Sequence, residues 1–175
     1  MKHNHIKDIA IASLMVAMGI VLPFLTASNP QLGSIFLLMH IPVLISGLVL
    51  GPKYGLIVGM MTPILRSLLF MMPPLYPQAL VMMFELGAYG FFIGLSYRIL
   101  SKTSFNVYAS LLIALLLGRV VWGVAASFFY PLAGLNFSFS IFLKAGFVTS
   151  LPGIGIQIVL IPLLFIYLKR TNILD

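Results

Sequence analysis

Apolar runs of helical length alternate with short turn-forming or charged stretches along the whole chain. A membrane-spanning helix needs about 20 apolar residues, and the runs predict spans at about 9–25, 34–50, 54–71, 78–97, 106–129 and 141–168. Between them lie Thr26–Gly33 with Ser28, Asn29, Pro30 and Gly33, a Gly-Pro-Lys-Tyr-Gly turn at 51–55, and the proline-rich Met72–Pro77. The polar Arg98–Phe105 and the aromatic-rich Tyr130–Ser140 complete the set. The last run is long enough to be tilted or broken near Pro152-Gly153. A basic start before an apolar run resembles a signal peptide, but Thr-Ala-Ser-Asn-Pro at 26–30 makes a weak cleavage site, so residues 9–25 are expected to stay as a span.

A few polar residues sit inside these runs, and helical spacing predicts where they point. Gly55, Gly59, Thr62 and Arg66 form one small and polar stripe, which packs against protein and not lipid. Gly33, His40, Gly47 and Gly51 share a face of the second span, as do Gln78, Glu85 and Tyr89 in the fourth. Arg119 lies with Trp122 and Ala126 in the fifth. At 1.5 Å per residue, His40, Arg66, Glu85 and Arg119 all fall on the order of 10–15 Å inside one side of the bundle. They are placed to meet in one cavity, with Asn29, Tyr76, Tyr130 and Asn136 in the loops above it.

Composition settles the class. The chain is 61% hydrophobic and 7% charged, where a soluble domain carries roughly a quarter charged residues. The reading is an all-α membrane protein, a single domain (1–175) of about six transmembrane helices with short loops. The net charge of +7 comes without a basic patch interleaved with aromatics, so nucleic acid is not an expected partner. It reports topology instead. With six spans, Lys2, Lys7, Lys53, Arg98, Lys102, Lys169 and Arg170 all fall on one side, while 26–33, 72–77 and 130–140 hold no Lys or Arg. The positive-inside rule then makes both termini cytoplasmic, in a multi-pass protein of the cell membrane. Lys144 marks the external end of the last span. Small residues recur at four-residue spacing (Ser13/Ala17, Gly47/Gly51, Gly55/Gly59, Gly90/Gly94, Ala114/Gly118), which lets helices approach closely in lipid.

Charged groups at membrane depth cost at least a few kcal/mol each and mark function by default. Each also has a plainer reading. Arg66 could snorkel to the surface, Glu85 and Arg119 could be a structural ion pair, and His40 before Pro42 could be packing. Two arginines against a single glutamate leave one guanidinium without an internal partner, which a ligand carboxylate could take bidentately. The chain lacks a P-loop, HExxH, GxSxG, cysteines, and paired acids for magnesium, so no cofactor, no metal and no catalytic residue is expected. A stand-alone ion-coupled secondary transporter of a small organic anion, titrating His40 or Glu85, is the alternative reading, and a small intramembrane enzyme a third.

The segment LMHIPVLISGLVLGPKYGLIVGMMTPILRSLLF, followed by MPPLYP, MMFELGAYGFFIGLSY, LLLGRVVWG and LPGIGIQIVLIPLL, resembles the substrate-binding S components of energy-coupling factor (ECF) vitamin transporters. The resemblance covers almost the whole chain. It implies a subunit that captures a water-soluble vitamin or related micronutrient from outside. Uptake would be driven through a transmembrane T component and two cytoplasmic ATPase subunits. It also implies a first-helix Ala-xxx-Ala motif for docking on the T component, here Ser13 and Ala17 in ASLMVAMG. The vitamin is not fixed by these motifs: the charge count favours a carboxylate such as pantothenate, and the aromatic contacts would equally suit a pyridoxine-like or pyrimidine ligand. The candidate substrate-binding set is His40, Arg66, Tyr76, Glu85, Tyr89, Arg119, Trp122 and Asn136.

Overall fold

The computed structural model describes residues 5–26, 30–100 and 104–170; Lys2, Ser28, Asn29 and Lys102 lie outside them. Every regular element among the described residues is helical. Helix α1 (His5–Val21) passes into a 3-10 turn, Leu22–Thr26. A short α2 (Pro30–Phe36) precedes α3 (His40–Leu50) and α4 (Pro52–Phe70). A π turn at Leu75–Ala79 leads into α5 (Leu80–Ile99), followed by α6 (Ser104–Leu132). The chain closes with α7 (Phe139–Leu143), a π turn at Lys144–Val148, and α8 (Leu151–Arg170).

Four stretches are long and apolar enough to cross a membrane: His5–Thr26, Leu75–Ile99, Phe105–Leu132 and Leu151–Lys169. Helix α4 has the length, at 19 residues, but Lys53, Thr62, Arg66 and Ser67 lower its hydropathy. Helix α6, with 29 residues, extends about 43 Å, more than a hydrocarbon core of about 30 Å.

The stretch 34–50 forms two helices, where a single span was expected. Helix α2 ends at Phe36, Leu37 takes a left-handed φ of 53°, and α3 begins at His40. Pro42 sits in the first turn of α3, where a missing N–H leaves no helical bond unmade. The stretch 141–168 is likewise broken, at Thr149–Ser150, before Pro152. The two breaks meet. A Cβ on Gly153 would stand 2.5 Å from the Ile35 carbonyl oxygen, so only glycine lets α8 lie this close to α2.

Helix α5 is central and packs on α3, α4 and α6. Its contact with α3 and α4 is backbone to backbone. A Cβ added at Gly47 or Gly55 would lie 2.3 Å from the Gly90 carbonyl oxygen, and one at Gly90 2.1 Å from that of Gly55. Such approach is how small residues hold helices together where the surroundings are as apolar as the core. Around this seam Leu44, Ile93, Leu111 and Ile161 are fully enclosed, joining α3, α5, α6 and α8 in one core.

Candidate functional site

Away from the glycine seam the helices enclose a cavity of about 480 Å³, within the usual 300–1,000 Å³ range of small-molecule sites. Its walls carry Leu37 and Met39 from the α2–α3 break, His40 at the start of α3, Glu85 on α5, and Arg119 and Trp122 on α6. Met71, Met72, Pro73 and Pro74 close another side. The mixture is apolar and adaptable, with a few polar groups converging.

Those polar groups form one network. Arg119 Nη1 donates to Glu85 Oε1 at 2.6 Å, and Tyr89 Oη donates to the same oxygen at 3.1 Å. His40 Nε2 stands 3.8 Å from it. Glu85 and Tyr89 are one turn apart on α5, so helical periodicity aligns them. Gly118 on α6 makes room for the phenol, since a Cβ there would be 2.3 Å from the Tyr89 ring. Trp122, one turn beyond Arg119, stacks on Phe142 with ring centroids 5.8 Å apart.

What the network leaves unmet is informative. Among the described residues, Arg119 Nε and Nη2 and both ring nitrogens of His40 are buried without a hydrogen-bond partner. Both donors to Glu85 fall on Oε1, and Oε2 accepts none among the described residues. A buried polar group left unmet costs about 1–3 kcal/mol, so these atoms mark the cavity as a candidate site.

Arg66 lines the same cavity but is turned towards α1. Three expected residues are not among the cavity's walls. Tyr89 is fully buried behind Glu85, to which it donates. Tyr76 is 47% exposed, with its hydroxyl 3.4 Å from the Phe129 carbonyl, and Asn136 is exposed in the loop after α6. Sequence reasoning missed the wall residues Leu37 and Met39, which look like any apolar position; Pro42 was the available signal of a helix start there. It also passed over Gln157 and Ser110, fully buried without side-chain partners among the described residues. A lone amide in the apolar run 154–168 was visible as an anomaly.

A family model for the ECF transporter substrate-specific component matches residues 7–165. The chain belongs to that family. No curated protein and no solved structure matches it. As an S component it is a substrate-specific membrane subunit of a transporter, and its all-helical fold with four apolar helices of spanning length suits a multi-pass membrane protein.

Proposed function

We propose that this S component captures a small water-soluble vitamin or related micronutrient bearing a carboxylate, pantothenate-like, and delivers it for uptake driven by a T component and two ATPase subunits. The observation that carries the carboxylate is Arg119, which spends Nη1 on Glu85 and keeps its Nε–Nη2 edge without a partner among the described residues. That edge is the fork that matches a carboxylate bidentately. Glu85 Oε2 and His40 offer complementary positions for hydroxyl or amide groups of the same molecule, while Trp122 and the methionines supply apolar contact.

The protein crosses the cell membrane six times with both termini cytoplasmic, the broken stretches 34–50 and 141–168 each counting as one crossing. The cavity then opens to the exterior, since the loops at its end hold no Lys or Arg. Ser13 and Ala17 both lie exposed on α1, and they supply the face that meets the T component. Purification in mild detergent followed by mass spectrometry of the released small molecules tests this reading. A carboxylate-bearing vitamin in near-equimolar amount is expected. An empty cavity, with no thermal shift from a vitamin panel, would return the ion-coupled secondary transporter to first place.

A further inference from the structure

Beside the cavity, α1 and α4 meet along a ladder of three contacts. Gly19 meets Thr62 so closely that a Cβ at Gly19 would lie 2.6 Å from Thr62 Cγ2. Next along α4, Arg66 Nη1 donates to the Ile20 carbonyl. One turn further, the Phe24 and Phe70 rings meet edge to face with centroids 4.9 Å apart. The Arg66 guanidinium carbon sits 4.9 Å from the first ring and 5.9 Å from the second. Thr62, Arg66 and Phe70 recur every four residues, so a single stripe of α4 makes the whole ladder.

The chemistry of the middle rung explains its cation. Ile20 belongs to the last turn of α1, where the regular α pattern of carbonyl bonds ends and the 3-10 turn begins. A guanidinium there donates to one of the carbonyls and complements the negative end of the helix dipole. The aromatic faces add cation–π attraction, strongest when desolvated, and Arg66 is only 3% exposed. Snorkelling therefore does not describe it.

This rung stands where it can govern access. Pro23 and Thr26, in the turn that follows α1, line the cavity, as do Met71 and Met72 just past Phe70. We infer that Arg66 is a positioning residue, a latch that fastens the Leu22–Thr26 turn to the end of α4 beside the cavity, and that it does not bind the cargo's carboxylate. The inference rests on the cavity being the substrate site but not on which vitamin fills it.

Because the chain has no cysteine, spin labels can be placed cleanly at Leu25 and Met71, which are 77% and 81% exposed. Their separation is measured by electron paramagnetic resonance in the full chain without added vitamin. A narrow distribution is expected for the parent, and a broad one for Arg66→Gln and for Phe24→Ala. A second pair at Ile9 and Ile99, away from the latch, should stay unchanged in all of them. An unaltered first pair overturns the inference, and so does equal broadening of both pairs, which would make Arg66 a general support of the fold. Should Arg66→Gln fail to fold, Phe24→Ala, which keeps the guanidinium, decides alone.

Pantothenate and its carboxamide give the second readout. A latch predicts that Arg66→Gln speeds dissociation of both by about tenfold, with their affinity ratio preserved. Loss of the ratio would make Arg66 a carboxylate ligand. If neither probe binds, the proposed cargo fails while the spin-label result still decides the latch.

Discussion

The two ends of this bundle are built by opposite rules. At the end carrying Gly47, Gly55, Gly90 and Gly94, three helices touch backbone to backbone, and the Arg98 guanidinium lies against Gly51. At the cavity end, two stretches are broken and buried nitrogens of His40 and Arg119 lack partners among the described residues. A protein in lipid gains little from burying apolar groups against one another, so stability comes from close packing and satisfied polar groups. The glycine end meets the first condition by direct backbone contact. The cavity end forgoes both, and its unmet groups are tolerable because the welded end holds α3, α4 and α5 in register beneath them. Close backbone packing and the proposed site are thus separated along the same helices.

That separation can be broken at either end. The largest effect is expected from Arg119→Ala, which strands the Glu85 carboxylate in the interior; removing one partner of a buried pair costs about 3–5 kcal/mol. Thermal unfolding in detergent measures it. The double replacement Glu85→Leu with Arg119→Met should recover most of that stability, within about 1 kcal/mol of the parent, yet bind no carboxylate-bearing vitamin. Recovery of binding in the double variant would reduce the ion pair to a structural brace. Next comes Gly90→Ala, whose added methyl would lie 2.1 Å from the Gly55 carbonyl oxygen. Forcing α4 and α5 apart should cost about 1–3 kcal/mol. Its affinity for the same vitamin should fall far less than that of Arg119→Ala, measured by calorimetry on the folded fraction.

The two ends also differed in how far the sequence disclosed them. Four-residue glycine spacing is a local pattern, and the pairs Gly47/Gly51, Gly55/Gly59 and Gly90/Gly94 pointed to a tight seam before any coordinates did. Helical periodicity likewise turned Glu85, Tyr89, Arg119 and Trp122 inward, because it needs only the helix that carries them. The break at 37–39 escaped, since Leu-Leu-Met-His continues an apolar run and the close approach of Gly153 in α8 to Ile35 and Phe36 is a long-range contact. The partner of Arg66 escaped for the same reason: it is a backbone carbonyl in another helix, to which no side-chain pattern points. Tyr76 and Asn136 lie in connecting segments, where periodicity says nothing about direction. Their exposure was therefore open until the loops were placed.

The smallest expected effect tests whether the glycine end is as independent as it looks. Gly51 joins α3 to α4 with φ at 91°, a conformation that suits glycine. The Arg98 guanidinium lies against it, so close that a Cβ on Gly51 would be 2.0 Å from Nη2, and Nη2 is 3.4 Å from the Leu50 carbonyl oxygen. That is a long hydrogen bond, and polar contacts between helices in membranes average well under 1 kcal/mol. Arg98→Ala should therefore lower stability by about 0.5–1 kcal/mol, read as a small shift in the unfolding midpoint. Vitamin affinity and the Leu25–Met71 separation should not change, because Arg98 and the cavity lie at opposite ends of α5. A loss of affinity in Arg98→Ala comparable to that in Arg119→Ala would mean that the two ends move together. The welded end would then transmit motion to the site in addition to supporting it, and α5, which carries both Arg98 and Glu85, would be the element that transmits it.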